Sequence, residues 1–388
     1  MIFNASANRV TMHILALEPY YGGSHQAFLD GWSAHSRHEW TVSGLPAYKW
    51  KWRMRHSAAT FAAQVAERLK RGEVFDLLFC SDMLNLAEFK GLAPGPVRDL
   101  PSVAYFHENQ LTYPVLHPDE RDLHFGMVNF TTALAANQVW FNSAFHRTTF
   151  LDALVEFLSR MPDFNSLERI EEIRLKSLVY PQGIAEPPAV GERRPGPPRI
   201  LWVARWEHDK NPGLFFETLY RLQAESFDFR VSVMGEQFST GPVEFEQARA
   251  RLADRIERWG FQPLREEYER ALAEADIVVS TANHEFFGVG IVEAVAAGAF
   301  PLLPRRLAYP EIFASIDQRD ADRFFYDGSA GHLASKLAEL LRRITDNRLW
   351  EGRPDRLTRV VEKYYWRNLA PQLDDALEKV AGESMTRL

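Results

Sequence analysis

Residues 185–198 read Ala-Glu-Pro-Pro-Ala-Val-Gly-Glu-Arg-Arg-Pro-Gly-Pro-Pro, with five prolines and two glycines. Proline lacks the amide hydrogen that helices and sheets require, so this stretch sustains neither and reads as a linker. It divides a chain of 388 residues into two parts, each of common domain size. The expected organisation is a domain over 12–184, the linker, a second domain over 199–345 and a helical tail over 346–388.

Short apolar runs bounded by turn signals recur on both sides of the linker. On the first side they are His13–Pro19, Thr41–Pro46, Asp76–Asp82, Ser102–His107, Gln138–Ser143 and Ser177–Pro181. On the second they are Arg199–Trp206, Phe229–Gly235, Arg255–Gly260, Asp276–Thr281 and Ala299–Pro304. Each is too short for a helix and reads as a buried strand. Stretches with helical spacing, such as Ser24–Ser36, Ser57–Arg71 and Asp122–Ala136, lie between them, which is the alternation of βαβ units. The predicted class is α/β, with two doubly wound Rossmann-like domains facing each other across a cleft. Ligands of such sheets bind beyond the carboxyl ends of the strands. The tail is helical in spacing, interrupted near Trp366 and stopped at Pro371.

Composition excludes several classes. Cys80 is the single cysteine, which rules out a disulfide framework, and a reducing cytoplasm fits. Residues 1–11 carry no apolar signal core, and no uninterrupted apolar run approaches the ~20 residues of a membrane span. A net charge of −7 argues against nucleic-acid binding over the whole surface while allowing a local basic patch.

Two motifs of the second half carry chemistry. The segment His284-Glu285-Phe286-Phe287-Gly288-Val289-Gly290-Ile291-Val292-Glu293-Ala294 follows a strand and opens a helix. Its glycines permit close backbone approach, and amides at a helix start bind an anion or a sugar hydroxyl. Glu285 before the turn and Glu293 inside the helix can then contact two parts of one ligand. The second motif, Trp202-Val203-Ala204-Arg205-Trp206-Glu207-His208-Asp209-Lys210-Asn211-Pro212, ends the strand that follows the linker. Arg205 offers a bidentate fork for phosphate oxygens and Lys210 a compact positive charge. Both are expected on a rim, where a solvated Arg/Lys pair is the alternative reading.

Three motifs of the first half are candidates. Glu18-Pro19-Tyr20-Tyr21-Gly22-Gly23-Ser24-His25 ends the first strand, and Gly22 and Gly23 let amides approach a diphosphate, a plain tight turn being the alternative. It is not a dinucleotide fingerprint, because the G-x-G-x-x-G spacing is missing. Phe106-His107-Glu108-Asn109-Gln110 sets polar groups at another strand end, where His107 can orient a hydroxyl or move a proton. Tyr48-Lys49-Trp50-Lys51-Trp52-Arg53-Met54-Arg55-His56 interleaves cations with tryptophans, which suits phosphate contact and base stacking. A solvated basic loop with its tryptophans packed beneath it fits equally.

Glu285 and Glu293 with Arg205 and Lys210 resemble the donor signature of glycosyltransferase family 4, the retaining GT-B enzymes. The longer strings, with Tyr309-Pro310-Glu311-Ile312-Phe313, resemble the tRNA-queuosine α-mannosyltransferase family from about residue 12 to about residue 315. The resemblance implies transfer of mannose from GDP-mannose, as co-substrate, to the cyclopentene diol of queuosine in the anticodon of tRNA-Asp, with no metal or other cofactor. It implies Arg205 and Lys210 at the diphosphate, Glu293 at the ribose, and Glu285 with the Phe287–Val289 backbone, including Gly288, at the sugar hydroxyls. Gly22 and Gly23 fall on the phosphate side and His107 near the transferred sugar. Gly235-Glu236 and Gly260-Phe261 are candidate nucleobase contacts. Lys49, Trp50, Lys51, Trp52, Arg53, Arg55, Glu108 and Asn109 are the candidate acceptor contacts, and no membrane partner is implied. Two alternatives stay open: a family 4 enzyme acting on a small molecule or glycan with a GDP- or UDP-sugar, and a non-catalytic RNA-binding protein on an inactive scaffold.

Overall fold

The computed structural model describes residues 11–115, 122–188, 195–237, 242–315, 322–350 and 356–385. Residues 1–10 and the centre of the linker, 189–194, lie outside them. Two compact units emerge, one of residues 1–183 with 366–388 and one of residues 184–365.

The first unit is built on six parallel strands among the described residues: β1 (His13–Tyr21), β2 (Glu39–Pro46), β3 (Leu77–Ser81), β4 (Ser102–Phe106), β5 (Gln138–Phe141) and β6 (Ser177–Val179), in the order β2-β1-β3-β4-β5-β6. The central strands are apolar throughout because both faces of a parallel sheet are covered. Successive side chains serve opposite faces. Leu15, Leu17, Leu78 and Cys80 enter one core, while Ile14, Ala16, Leu77 and Phe79 enter the other. Burial pushes the Cys80 thiol up, so it stays protonated.

The second core is closed by the chain's last helix, Trp366–Met385, which contributes Leu369, Ala370, Leu373, Ala376, Leu377 and Val380. Pro371 lies inside this helix rather than ending it, contrary to the expectation from sequence. The missing amide removes one hydrogen bond, and burial of the apolar face outweighs that loss. Buried Asp374 fixes the helix by accepting from Trp32 Nε1 at 2.9 Å and from Arg37 N at 2.9 Å. The expected tail therefore divides: Leu357, Val361, Tyr364 and Tyr365 pack in the core of the second unit, while residues from Trp366 onward belong to the first.

The second unit holds β7 (Arg199–Val203), β8 (Arg230–Met234), β9 (Ile256–Gly260), β10 (Ile277–Val279), β11 (Phe300–Pro304) and β12 (Phe325–Tyr326), parallel and in the order β12-β11-β10-β7-β8-β9. Ile184 opens the unit, donating its amide to Tyr364 O at 2.8 Å.

Strand order locates the crevices. In the first unit the chain leaves β1 for β2 and returns to β3 on the other side, so the order reverses between β1 and β3. In the second it leaves β7 for β8 and β9 and returns at β10. Ligands of open α/β sheets bind at such switch points, beyond the strands' carboxyl ends.

Candidate active site

At the switch point of the second unit, a short 3-10 turn, His208–Lys210, follows β7. Asn283 N donates to Asp209 O at 2.7 Å, and Thr281 Oγ1 donates to Lys210 O at 2.8 Å, tying this turn to the loop after β10. Lys210 is 6% exposed, so it is a buried ammonium and not the rim residue expected. Its Nζ donates to His284 O at 2.7 Å and lies 3.1 Å from Asp209 Oδ2 and 3.4 Å from Glu285 Oε2. Burial works against its charge, but Glu285 and Asp209 outweigh burial and raise its pKa. His284 responds oppositely: burial and then the Lys210 charge push it down to about 4, so it is neutral at physiological pH. Arg205 lies on the exposed side of this cluster, with Nη2 3.4 Å from Glu207 Oε2.

Gly288 caps the helix Val289–Ala296 with φ +87°, and a Cβ there would stand 2.9 Å from Tyr309 Cε1. Only glycine meets both demands, and it leaves the helix's first amides approachable. Phe287 is buried in the core, so this motif offers a ligand its backbone around Phe287, Gly288 and Val289. One turn inside the helix, Glu293 Oε1 accepts from Arg265 Nη2 at 3.0 Å and Oε2 from Tyr268 OH at 2.6 Å. Gly235, after β8, has a backbone that would put a Cβ 1.7 Å from Ala204 O, and Phe261, after β9, is 65% exposed.

In the first unit, Gly22 is the N-cap of the helix Gly23–His35, directly after β1. His25 of that helix and His107 after β4 stack with ring centroids 4.0 Å apart. Glu18 Oε2 lies 3.1 Å from His25 Nδ1, close enough for an ion pair though not aligned as a hydrogen bond. Glu18 Oε1 accepts from Ser81 Oγ at 3.0 Å and from Tyr20 N at 2.8 Å. Asp82, after β3 and wholly buried, accepts from His107 N at 2.9 Å, and its Oδ2 has no partner. Burial, with Glu108 and Glu18 nearby, raises the Asp82 pKa well above the usual carboxyl range despite the opposing influence of His25. Ligand atoms of Glu18, His25 and His107 lie within 4.8 Å of one another, as a metal site would require. The two imidazoles, however, lie face to face and do not radiate from a common point, an arrangement of a braced stack and not of ligands round an ion.

The remaining candidates separate. Asn109 is fully buried, and its Oδ1 accepts from Leu111 N at 3.1 Å and Thr112 N at 3.0 Å, so its side chain closes a turn and is not presented to an acceptor. Glu108 Oε1 accepts from Gln110 Nε2 at 3.0 Å. The basic segment is helical: Trp50–Lys70 is one helix, capped by Lys49 in the left-handed region at φ +54°. Helical geometry splits the alternating residues between faces. Arg53 and Met54 are buried, Arg53 Nε donating to Pro46 O at 2.9 Å, which corrects its place among exposed cations. Lys49, Lys51, Trp52 and Arg55 are exposed, and Trp50 packs on Phe125 with centroids 5.1 Å apart. Arg55 Nη2 lies 3.5 Å from Asp122 Oδ2.

Asp82, Arg265 and Tyr268 were missed from sequence. Asp82 ends β3 as His107 follows β4, a strand-end polar position that could have been found. Arg265 and Tyr268 reach Glu293 only through the fold.

The family model described as tRNA-queuosine alpha-mannosyltransferase N-terminal matches residues 13–184, and that described as glycosyl transferases group 1 matches residues 197–343. The chain is 39% identical over 313 residues to the tRNA-queuosine alpha-mannosyltransferase of Drosophila melanogaster, covering 78% of this chain and 81% of that protein. It is 25% identical over 212 residues to the GDP-mannose:cellobiosyl-diphosphopolyprenol alpha-mannosyltransferase of Xanthomonas oryzae, covering 53% of this chain and 54% of that one. The structure of Anabaena HepE in complex with UDP superposes with a TM-score of 0.65 at 16% identity, over 95% of this chain and 100% of that one. That likeness shows the fold alone, the α/β GT-B type. No helix among the described residues is long and apolar enough to cross a membrane.

Proposed function

The chain belongs to the tRNA-queuosine alpha-mannosyltransferase family, and from that premise we propose that this glycosyltransferase moves mannose from GDP-mannose to a diol hydroxyl of queuosine in a tRNA anticodon loop. The donor is inferred from the resemblance and from the GDP-mannose named for the Xanthomonas relative. The observation that carries the reading is the Lys210–Glu285 contact of 3.4 Å, which joins the ends of β7 and β10 at the switch point.

In this reading Arg205 and Lys210 neutralise the diphosphate. Glu293 accepts from the ribose hydroxyls, and Glu285 with the 287–289 backbone accepts from and donates to the sugar hydroxyls. The bond from the anomeric carbon to the diphosphate oxygen breaks with its electron pair going to the diphosphate. The acceptor oxygen bonds to the same face, and its proton passes to the departing diphosphate. Charge growing on the leaving group is stabilised by cations already in place. His107 is driven far below the usual imidazole range by burial, then by His25 and His146, so it takes part uncharged. Its buried Nδ1 has no partner, which favours the proton on Nε2, where it can be donated to a substrate oxygen. Exposed Lys49, Lys51, Trp52 and Arg55 suit an RNA loop's phosphates and bases despite the acidic chain.

Thermal-shift titration with GDP-mannose, GDP, UDP-glucose and UDP tests the donor, since a ligand of the folded form raises its stability. Stabilisation by the guanine nucleotides alone is expected, and stabilisation by the uridine pair alone overturns the donor assignment.

A further inference from the structure

The reaction as drawn uses His107 and leaves idle the residues packed behind it. Three elements converge there: β1 brings Glu18, the helix Gly23–His35 brings His25, and the turn after β3 brings Asp82. His107 packs against them and against aromatic rings. His25 stacks on it, Tyr105 meets it with centroids 4.6 Å apart and Phe28 at 5.2 Å, and its amide donates to Asp82 Oδ1 at 2.9 Å. The buried Glu18 carboxylate needs a compensating cation. His25 is the base that touches Glu18 and is drawn toward its charged form by Asp82 as well.

We propose that His25 is a positioning residue for His107: the Glu18–His25 pair braces the His107 ring at a fixed tilt and sets a positive charge against its face. The inference rests on the reading in which His107 meets the substrate. The groups acting on His25 are Glu18 from β1, Asp82 after β3, and His107 and Glu108 after β4; Tyr20 packs edge-on to its ring. His146, from the helix Ala144–Ser159, acts on His107. Burial works against the charge on His25, but Glu18, Asp82 and Glu108 together outweigh it, and the pKa is raised to about 9. Near neutral pH, His25 is therefore an imidazolium and His107 a neutral ring beside it. A second proton on His107 would face that charge, so His107 stays singly protonated.

The test pairs kinetics with imidazole nitrogen NMR on the full-length protein. His25→Gln keeps a donor for Glu18 and removes the charge and the stack. It should lower kcat at neutral pH by about tenfold or more, leave donor KM within about threefold, and shift the acid limb of the kcat profile upward by about one pH unit as His107 becomes easier to protonate. In the unmutated protein, the spectra should show His25 doubly protonated and His107 singly protonated at neutral pH, an outcome independent of whether any variant folds. A neutral His25, or a His25→Gln enzyme with the native pH profile and kcat, overturns the inference. Loss of activity on chelation with recovery on adding Zn2+ also overturns it, by assigning Glu18, His25 and His107 to a metal. His107→Asn separates the two ideas: full activity in that variant defeats the substrate role of His107, whereas an inactive His107→Asn beside an unaltered His25→Gln defeats the positioning role alone.

Discussion

Lys210 Nζ and Glu285 Oε2 stand 3.4 Å apart across a sequence separation of 75 residues. Pairing of β7 with β10 brings the two strand ends together, and the 3-10 turn lowers the lysine into a pocket completed by Asp209 and the His284 carbonyl. A charge held this way is in place before any ligand arrives, and the same burial makes it part of the unit's stability.

Arg205 and Lys210 should therefore behave differently when replaced. Lys210→Met leaves buried Asp209 and half-buried Glu285 without their cation and should destabilise the protein by about 3 kcal/mol, whereas Arg205→Ala should change stability by less than about 0.5 kcal/mol. Both should lose donor binding. Urea unfolding measures the difference, and a Lys210→Met protein as stable as its parent would contradict the buried pairing.

The two motif carboxylates should separate kinetically. With Glu293 at the ribose as proposed, Glu293→Gln should raise donor KM by about tenfold or more with kcat little changed. Glu285→Gln touches both the sugar and Lys210 and should depress kcat as well. Tyr268→Phe frees one Glu293 oxygen from its 2.6 Å partner and should raise donor KM by a smaller factor. Identical kinetics in the Glu285 and Glu293 variants would contradict separate roles.

How much of this was legible follows from what each contact depends on. Strands such as Ile14–Leu17 announced themselves because both faces are buried, and the linker because proline cannot pair. β12 gave no sign, since two residues cannot show a period. The start of the helix at Trp50 was hidden: Lys49 is no ordinary cap, and cations alternating with tryptophan mimic an extended segment. Glu285, Glu293, Arg205 and Lys210 carried local motifs. The partners that define their chemistry, Asp209 with Lys210 and Arg265 with Glu293, acquire that role only when strand order brings them together.

Two histidines, His25 and His284, together favour stability near pH 6.5. His25, with a folded pKa of about 9, contributes fully below the unfolded value near 6.5 and loses that contribution as pH rises through 9. His284, held down to about 4, stays neutral while the unfolded chain takes up protons, so stability falls as pH drops from about 6.5 to 4. Each effect is at most about 3 kcal/mol. A melting temperature that keeps rising from pH 7 to pH 9 would contradict the charge assigned to His25.

Arg53 is buried, so the exposed face of the helix Trp50–Lys70 is tested at Lys51 and Arg55. The Lys51→Glu/Arg55→Glu protein should bind GDP-mannose normally and lose about tenfold or more in tRNA transfer, with activity less steeply dependent on salt. Unaltered transfer would remove this face from the acceptor site. Arg53→Ala should instead lower stability, because it removes a buried side chain and its 2.9 Å hydrogen bond to Pro46 O, which keeps the bond from Tyr48 N.

The central claim is met most directly by incubating the purified protein with GDP-mannose and queuosine-containing tRNA, then digesting the tRNA and analysing its nucleosides by mass spectrometry. The account predicts loss of queuosine and the appearance of a mannosylated queuosine, in the native protein but not in Glu285→Gln. Queuosine left intact by an enzyme that binds GDP-mannose and transfers its sugar to a glycan or a small molecule would contradict it.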